Sequence, residues 1–308
     1  MAALYIVDGS STGGTLRQAL KPARPKIIEW RDSLEWGPVP AGLSLAELSR
    51  VRSDYWTGKP GELEKRDAAL ARFAEHEEVV LCFGSTVLCQ LALVQLLDWF
   101  SRQDLSGTAL SLVTAYGGVL QPSQFLKAIG EKQPIAAAQL RLARQVWTAF
   151  RAPSPLRLEA VLSRDLRALP EIRHAILFLL QEYPEALDGL SRLQRKLLGE
   201  AASLGATRPA WIVGLMLASE SVGDTCLFGL LEGLVSAPHP LLAREPATGD
   251  FRAATLTITP LARRMLAGKA DHVALNGIDR WIGGSHLKGR RFKWRWDERL
   301  RGIVRRPA

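Results

Sequence analysis

The stretch Asp8-Gly9-Ser10-Ser11-Thr12-Gly13-Gly14 holds more hydrogen-bonding groups than any other short segment near the amino terminus. It follows the apolar run ALYIV (residues 3–7) and precedes TLRQAL, so it reads as a loop between a strand and a helix. Amides and hydroxyls at such a junction can cradle a phosphate or carboxylate against the helix N-terminus. The stretch is neither G-x-G-x-x-G nor a P-loop. Gly9-Ser10-Ser11-Thr12-Gly13 does match G-x-S-x-G, with Ser11 in the nucleophile's place. A hydrolase elbow normally follows several strands, however, and this one follows the first. Ligand binding through Asp8, Ser10, Ser11 and Thr12 and nucleophilic catalysis by Ser11 are therefore two readings, beside the plainer one of a helix-capping turn.

Elements must position these groups. KIIEW (26–30), VVLCF (79–83) and LSLVT (110–114) are further short apolar runs, each separated from the next by helical pattern. Strands alternating with helices predict an α/β domain with a Rossmann-like, mostly parallel sheet. In such sheets ligands sit beyond the carboxyl ends of the strands. Those ends carry Arg31 and Asp32, then Ser85 and Thr86, then Thr114 and Tyr116. With the first loop they form a lining suited to a small polar or anionic molecule. Arg31 and Asp32 can equally be a structural ion pair.

The histidines His76, His174, His239 and His272 have no cysteine or acid at ligand spacing, and no metal site is expected. His286 stands apart, because it follows Gly283-Gly284-Ser285 near Asn276 and Asp279. It can serve as an acid or base in a cleft, or be a satisfied buried imidazole. No residue pattern names a cofactor.

Two stretches, with the helix LALVQLLDWF (91–100), carry a resemblance. Trp30-Arg31-Asp32 with Gly37-Pro38-Val39-Pro40, and Leu275-Asn276-Gly277-Ile278-Asp279-Arg280-Trp281-Ile282-Gly283-Gly284-Ser285-His286-Leu287 near the end, resemble the bacterial domain of unknown function DUF1835. The resemblance spans most of the chain. It implies an α/β front and a helical back, with no known activity. The chain departs from that pattern where chemistry would sit. Ser10 stands for the family's loop Asp, Phe83-Gly84-Ser85-Thr86 for its Phe-Glu-His-Asp, and Cys89 for a later Asp. A member so altered is expected to be repurposed or inactive, or a partner subunit; a biosynthetic enzyme with altered site chemistry is a separate reading of the whole chain.

From Leu190 the order is helix, helix, helix, two strands around Thr248-Gly249-Asp250, helix. That is the order of a winged helix. A DNA-reading helix needs Arg, Lys, Asn or Gln facing the groove. DTCLFGLLEGLVS (224–236) offers Thr225, Glu232 and Ser236, and residues 209–243 contain no Lys or Arg. Its leucines read as packed on both sides, so the module is expected to pack or to form a homodimer or other protein contact.

The 308 residues carry a net charge of +9. Ten basic residues against two acids after Asp279 give +8, which leaves a near-neutral body with a basic tail. Phe292, Trp294 and Trp296 alternate with Lys293 and Arg295 in that tail. Two readings follow: a half-buried strand with its arginines outward, or an arm that binds nucleic acid. No apolar run reaches membrane-spanning length, the N-terminus lacks signal-peptide features, and three cysteines fit a reducing cytoplasm. The expected domains are a Rossmann-like 1–130, a helical 131–188 and a winged-helix-like 189–308 with the basic tail.

Overall fold

The computed structural model describes residues 3–56, 61–113 and 121–306. The chain divides into two compact units, one of residues 1–176 with 283–285, the other of residues 177–282 with 286–308.

The first unit begins with β1 (Leu4–Val7), α1 (Ser10–Ala19), β2 (Lys26–Glu29), α2 (Leu45–Trp56) and α3 (Glu62–Leu70). Then come β3 (Glu78–Cys82), α4 (Val87–Phe100), β4 (Ala109–Val113), α5 (Pro122–Gly130) and β5 (Gln133–Pro134). Helices α6 (Ala137–Phe150), α7 (Pro155–Glu159) and α8 (Ile172–Gln181) follow, and the division between the units falls within α8. The five strands form one sheet in the order β2-β1-β3-β4-β5, parallel except for β5. This is a Rossmann-like α/β architecture. Val79–Cys82 of β3 are all buried, as a parallel strand covered on both faces requires. Val7, Val80, Cys82 and Val113 of the sheet share a core cluster with Leu16 of α1 and Phe125 of α5. Helix α4 is buried at twelve of its fourteen positions and packs against α6. Helix α2 starts where Ser44 and Glu47 form a capping box: the Ser44 N–H donates to Glu47 Oε2 (2.8 Å), and the Glu47 N–H to Ser44 Oγ (3.3 Å).

Gly283 and Gly284 belong to this unit although they come late in the chain. The Gly284 N–H donates to the Phe150 carbonyl (3.0 Å), and the Val39 N–H to the Gly283 carbonyl (2.8 Å). A Cβ on Gly284 would lie 1.8 Å from the Arg151 carbonyl oxygen, and one on Gly283, at φ 57°, 2.2 Å from that of Phe150. Backbone contact this close admits only glycine.

The second unit contains α9 (Arg192–Leu204), α10 (Pro209–Ser219), α11 (Asp224–Ser236), the antiparallel pair β6 (Leu242–Glu245) and β7 (Thr255–Ile258), and α12 (Pro260–Leu266). Then follow α13 (His272–Asn276), the pair β8 (Asp279–Ile282) and β9 (Ser285–Lys288, of which Ser285 belongs to the first unit), and the pair β10 (Trp294–Asp297) and β11 (Gly302–Arg305). Thr207, between α9 and α10, exchanges two backbone hydrogen bonds with Leu256 of β7 (3.0 and 2.7 Å). Leu193, Leu197 and Leu198 of α9 are buried, as are Ile212 of α10 and Leu227 and Leu231 of α11, and α9 packs against both of those helices.

Two expectations need correction here. Helix α11 is not packed on both sides: it buries Leu227, Phe228, Leu231 and Leu234, while Gly229, Glu232, Gly233 and Ser236 face solvent. The tail's aromatics do pack, since Trp296 is buried and bridges Glu185. Its arginines do not all face outward, because Arg295 is buried as deeply as Trp296. Arg295 tolerates this by donating to the carbonyls of Phe292 and Trp294 and lying 3.9 Å from Asp271. Among the described residues no helix is long and apolar enough to cross a membrane.

Candidate functional site at the β1 and β3 strand ends

The strand order sets the position of the site. From β1 the chain crosses to β2 on one side, and β3 pairs with β1 on the other. The connections diverge between the carboxyl ends of β1 and β3, the switch point at which doubly wound sheets bind ligands. Val7 lies in register with both Glu29 and Cys82, so the three strands end level with one another.

Asp8 follows β1 directly. The segment expected as a loop through Gly14 is already helix from Ser10, because Gly9 alone makes the turn. Ser10, Ser11 and Thr12 therefore form the first turn of α1, which no side chain caps. The amides of that turn have no intrahelical acceptor, which gives the helix end a partial positive charge. Ser10 and Ser11 are exposed. Among the described residues only Arg301 combines a side chain with a positive φ, so Ser11 has ordinary helical backbone rather than the strained turn of a nucleophile elbow.

Beyond β3, Phe83-Gly84-Ser85-Thr86 lead into α4. Thr86 caps that helix, its Oγ1 accepting from the Cys89 N–H (3.3 Å). The Thr86 hydroxyl lies 3.0 Å from the Cys89 sulfur, and the Cys89 thiol in turn donates to Asp8 Oδ2 (3.0 Å). Asp8, Thr86 and Cys89 thus join the ends of β1 and β3 across 81 positions of sequence. Burial, and then the Asp8 charge, push the Cys89 thiol up to about 12. The thiol is neutral at physiological pH. It acts as a donor rather than as a thiolate nucleophile or metal ligand. Gln90 fixes the loop by donating to the Gly84 carbonyl (2.8 Å). Cys89 was visible in the sequence only as the residue standing where the resembled family has an acid.

Arg31 and Asp32 are separated by their partners. The exposed Arg31 pairs with Glu29, which also receives Arg17 of α1 (2.7 Å). Burial raises the Glu29 carboxyl, but hydrogen bonds from Arg31 and Arg17 outweigh it and leave it lowered. Gly13 permits this arrangement: a Cβ there would meet Glu29 Oε1 at 2.6 Å. Asp32 is buried against the fully buried Arg52 of α2 (Nη2–Oδ1 2.6 Å), whose guanidinium also donates to the Ser33 and Trp36 carbonyls. Arg31 and Asp32 therefore do not form the expected ion pair: Arg31 is held by Glu29, and Asp32 by Arg52. Ser85 and Thr86 are half-buried at the switch point. Thr114 and Tyr116 lie outside the described residues.

His286, in the second unit, stacks on Trp281 (centroids 4.3 Å apart, planes 8° apart) with its Nε2 2.7 Å from Asp279 Oδ1. Asn276 is engaged elsewhere, with His272 Nδ1 (3.1 Å) and the His239 backbone. Among the described residues no three His, Cys, Asp or Glu side chains converge as a metal site would require.

No family model matches this chain, and no curated protein matches it.

Proposed function

We propose that the chain binds a small molecule carrying hydroxyl groups and one anionic group at the β1/β3 switch point. One observation carries the reading: the strand order 2-1-3-4 sets the uncapped first turn of α1, Asp8, Ser85 and Thr86 at the divergence of the connections. The free amides of Ser10, Ser11 and Thr12 suit the anionic group. Asp8 suits a hydroxyl, since among the described residues only Cys89 donates to it. Arg31 is close in sequence but tied to Glu29, so it contributes charge at the rim rather than a direct clamp. Asp32 supports the loop after β2 through Arg52.

We read the chain as a divergent DUF1835-like bacterial, cytoplasmic protein, either a biosynthetic enzyme with altered chemistry or a partner subunit. Ser11 and His286 remain the candidate groups for chemistry. In the second unit, the helix order and the Thr207–Leu256 bridge support a winged-helix reading. Its role would be contact with a protein or a second copy, because α10 leaves Trp211 69% exposed beside exposed Leu215 and Leu217. Helix α11 is not the DNA reader in this proposal, since residues 209–243 hold no cation.

Thermal-shift titration with ribose 5-phosphate, AMP and glycerate tests the binding reading. Ser10→Glu places an anion on the exposed first turn, where it favours the helix by roughly 0.3–1 kcal/mol. The expected result is a ligand-dependent rise in midpoint that the variant lacks while its own midpoint holds. Equal rises in both proteins would remove the site from the first turn of α1.

A further inference from the structure

The second unit contains a concavity of about 650 Å³ lined by Arg290, Arg291, Lys293, Arg295, Arg305 and Arg306, with Phe292 and Ala274 completing the wall. Among the described residues no acidic side chain lines it. Six cations facing one cavity repel each other. On the extended β10–β11 ladder Lys293 stands opposite Arg306, the Arg306 N–H donating to the Lys293 carbonyl (2.8 Å). Like charges directly opposite in a ladder are unfavourable. Asp271 offsets part of this through ion pairs with Arg306 and Arg295. Among the described residues Arg290, Arg291, Lys293 and Arg305 have no carboxylate partner. Arg295 is buried, and its Nε has no hydrogen-bond partner among the described residues.

A solvated basic face would spread its charges and keep every guanidinium in water. Here the chain folds them around one hollow and buries one of them. Every residue lining the hollow belongs to the second unit, whereas the β1/β3 switch point is built from the first. It also accounts for the concentration of charge after Asp279, which the switch point does not use. We propose that this cavity is a phosphate-binding site. The phosphates would enter as the missing counter-ions: they accept from the unpaired guanidinium groups and relieve the Lys293–Arg306 repulsion. Arginine suits such recognition, because its planar fork pairs with two phosphate oxygens at once. Two sources present this chemistry: the backbone of a single-stranded nucleic acid, and a free polyphosphate.

The test uses the full-length chain, fluorescence anisotropy with labelled dT20 and calorimetry with pyrophosphate. Arg291→Glu/Arg305→Glu alters two exposed, unpaired positions. Arg24→Glu/Arg141→Glu makes the same change of net charge at exposed positions of the first unit. The expected result is binding of at least one probe, weakened more than tenfold by the first pair and less than twofold by the second. Binding of dT20 with a log–log salt slope of roughly −3, and none of pyrophosphate, assigns the nucleic-acid backbone. Saturable binding of pyrophosphate that displaces dT20 assigns a free polyphosphate. If Arg291→Glu/Arg305→Glu lowers the thermal midpoint, Arg290→Gln takes its place and is expected to weaken binding at least threefold. No binding of either probe, or equal losses in the two charge-reversed pairs, overturns the proposal.

Discussion

Replacing Glu35 by Gln should stabilise the protein at alkaline pH and leave it unchanged at acid pH. Glu35 is buried beside the Asp32–Arg52 pair, and among the described residues no other residue gives its carboxylate oxygens a hydrogen bond. Burial pushes its carboxyl up to about 7; Arg52 pulls against this and Asp32 adds to it. The folded value lies above the unfolded one, near 4.5. The favourable contribution is therefore complete below about pH 4.5 and is lost as the pH rises through about 7. A displacement of about 2.5 units at 1.36 kcal/mol each amounts to roughly 3 kcal/mol. For a unit of this size that is about 6–12 °C in midpoint. Scanning calorimetry of both proteins from pH 4.5 to 9 is the assay. The midpoint of Glu35→Gln minus that of the native chain should climb from near zero to its plateau above pH 7. Other buried acids, such as Asp188 at about 6, cancel in the difference. A flat difference, or one that climbs below pH 4.5, would refute the reasoning that an unpartnered buried carboxyl is held protonated.

Asp32→Asn should cost about 3–5 kcal/mol by leaving Arg52 buried without its counter-charge, read by urea unfolding. Gly284→Ala forces a methyl into the Arg151 carbonyl and should cost about 3 kcal/mol or more, whereas Gly205→Ala, with open space beside it, should cost less despite its positive φ. Trp296→Ala should lower stability by about 3–5 kcal/mol, and an unchanged midpoint would mean that the tail is a free arm.

The parallel sheet was legible because each strand is a short apolar run bounded by polar turns. The expected runs at 3–7, 26–30, 79–83 and 110–114 lie within a residue of β1 to β4. Strand β5 was not legible: Gln133-Pro134 has no periodicity and cannot fill the ladder. The order of strands is a tertiary property, so the convergence of Asp8 with Cys89 could not be read from spacing. The same limit hid the partner of Asp32, since Arg52 lies on the next helix, where an arginine normally reads as exposed. Period-two alternation located the β10 strand and its buried Trp296. It misplaced Arg295, because adjacent residues of β10 are both buried and Arg295 is satisfied by the Phe292 and Trp294 carbonyls, which alternation does not reveal. The Gly283-Gly284 pair stands in the segment that carries the resemblance, but its reason, contact with the carbonyls of Phe150 and Arg151, is a tertiary one that spacing does not show.

In the proposed function, the first turn of α1 and the β3–α4 turn form one ligand site. A crystallographic soak of the full chain with ribose 5-phosphate, AMP and glycerate tests it most directly. Density is expected for at least one of them, its anionic group on the amides of Ser10, Ser11 and Thr12 and a hydroxyl on Asp8. An empty switch point with every soaked molecule bound elsewhere on the chain would contradict it.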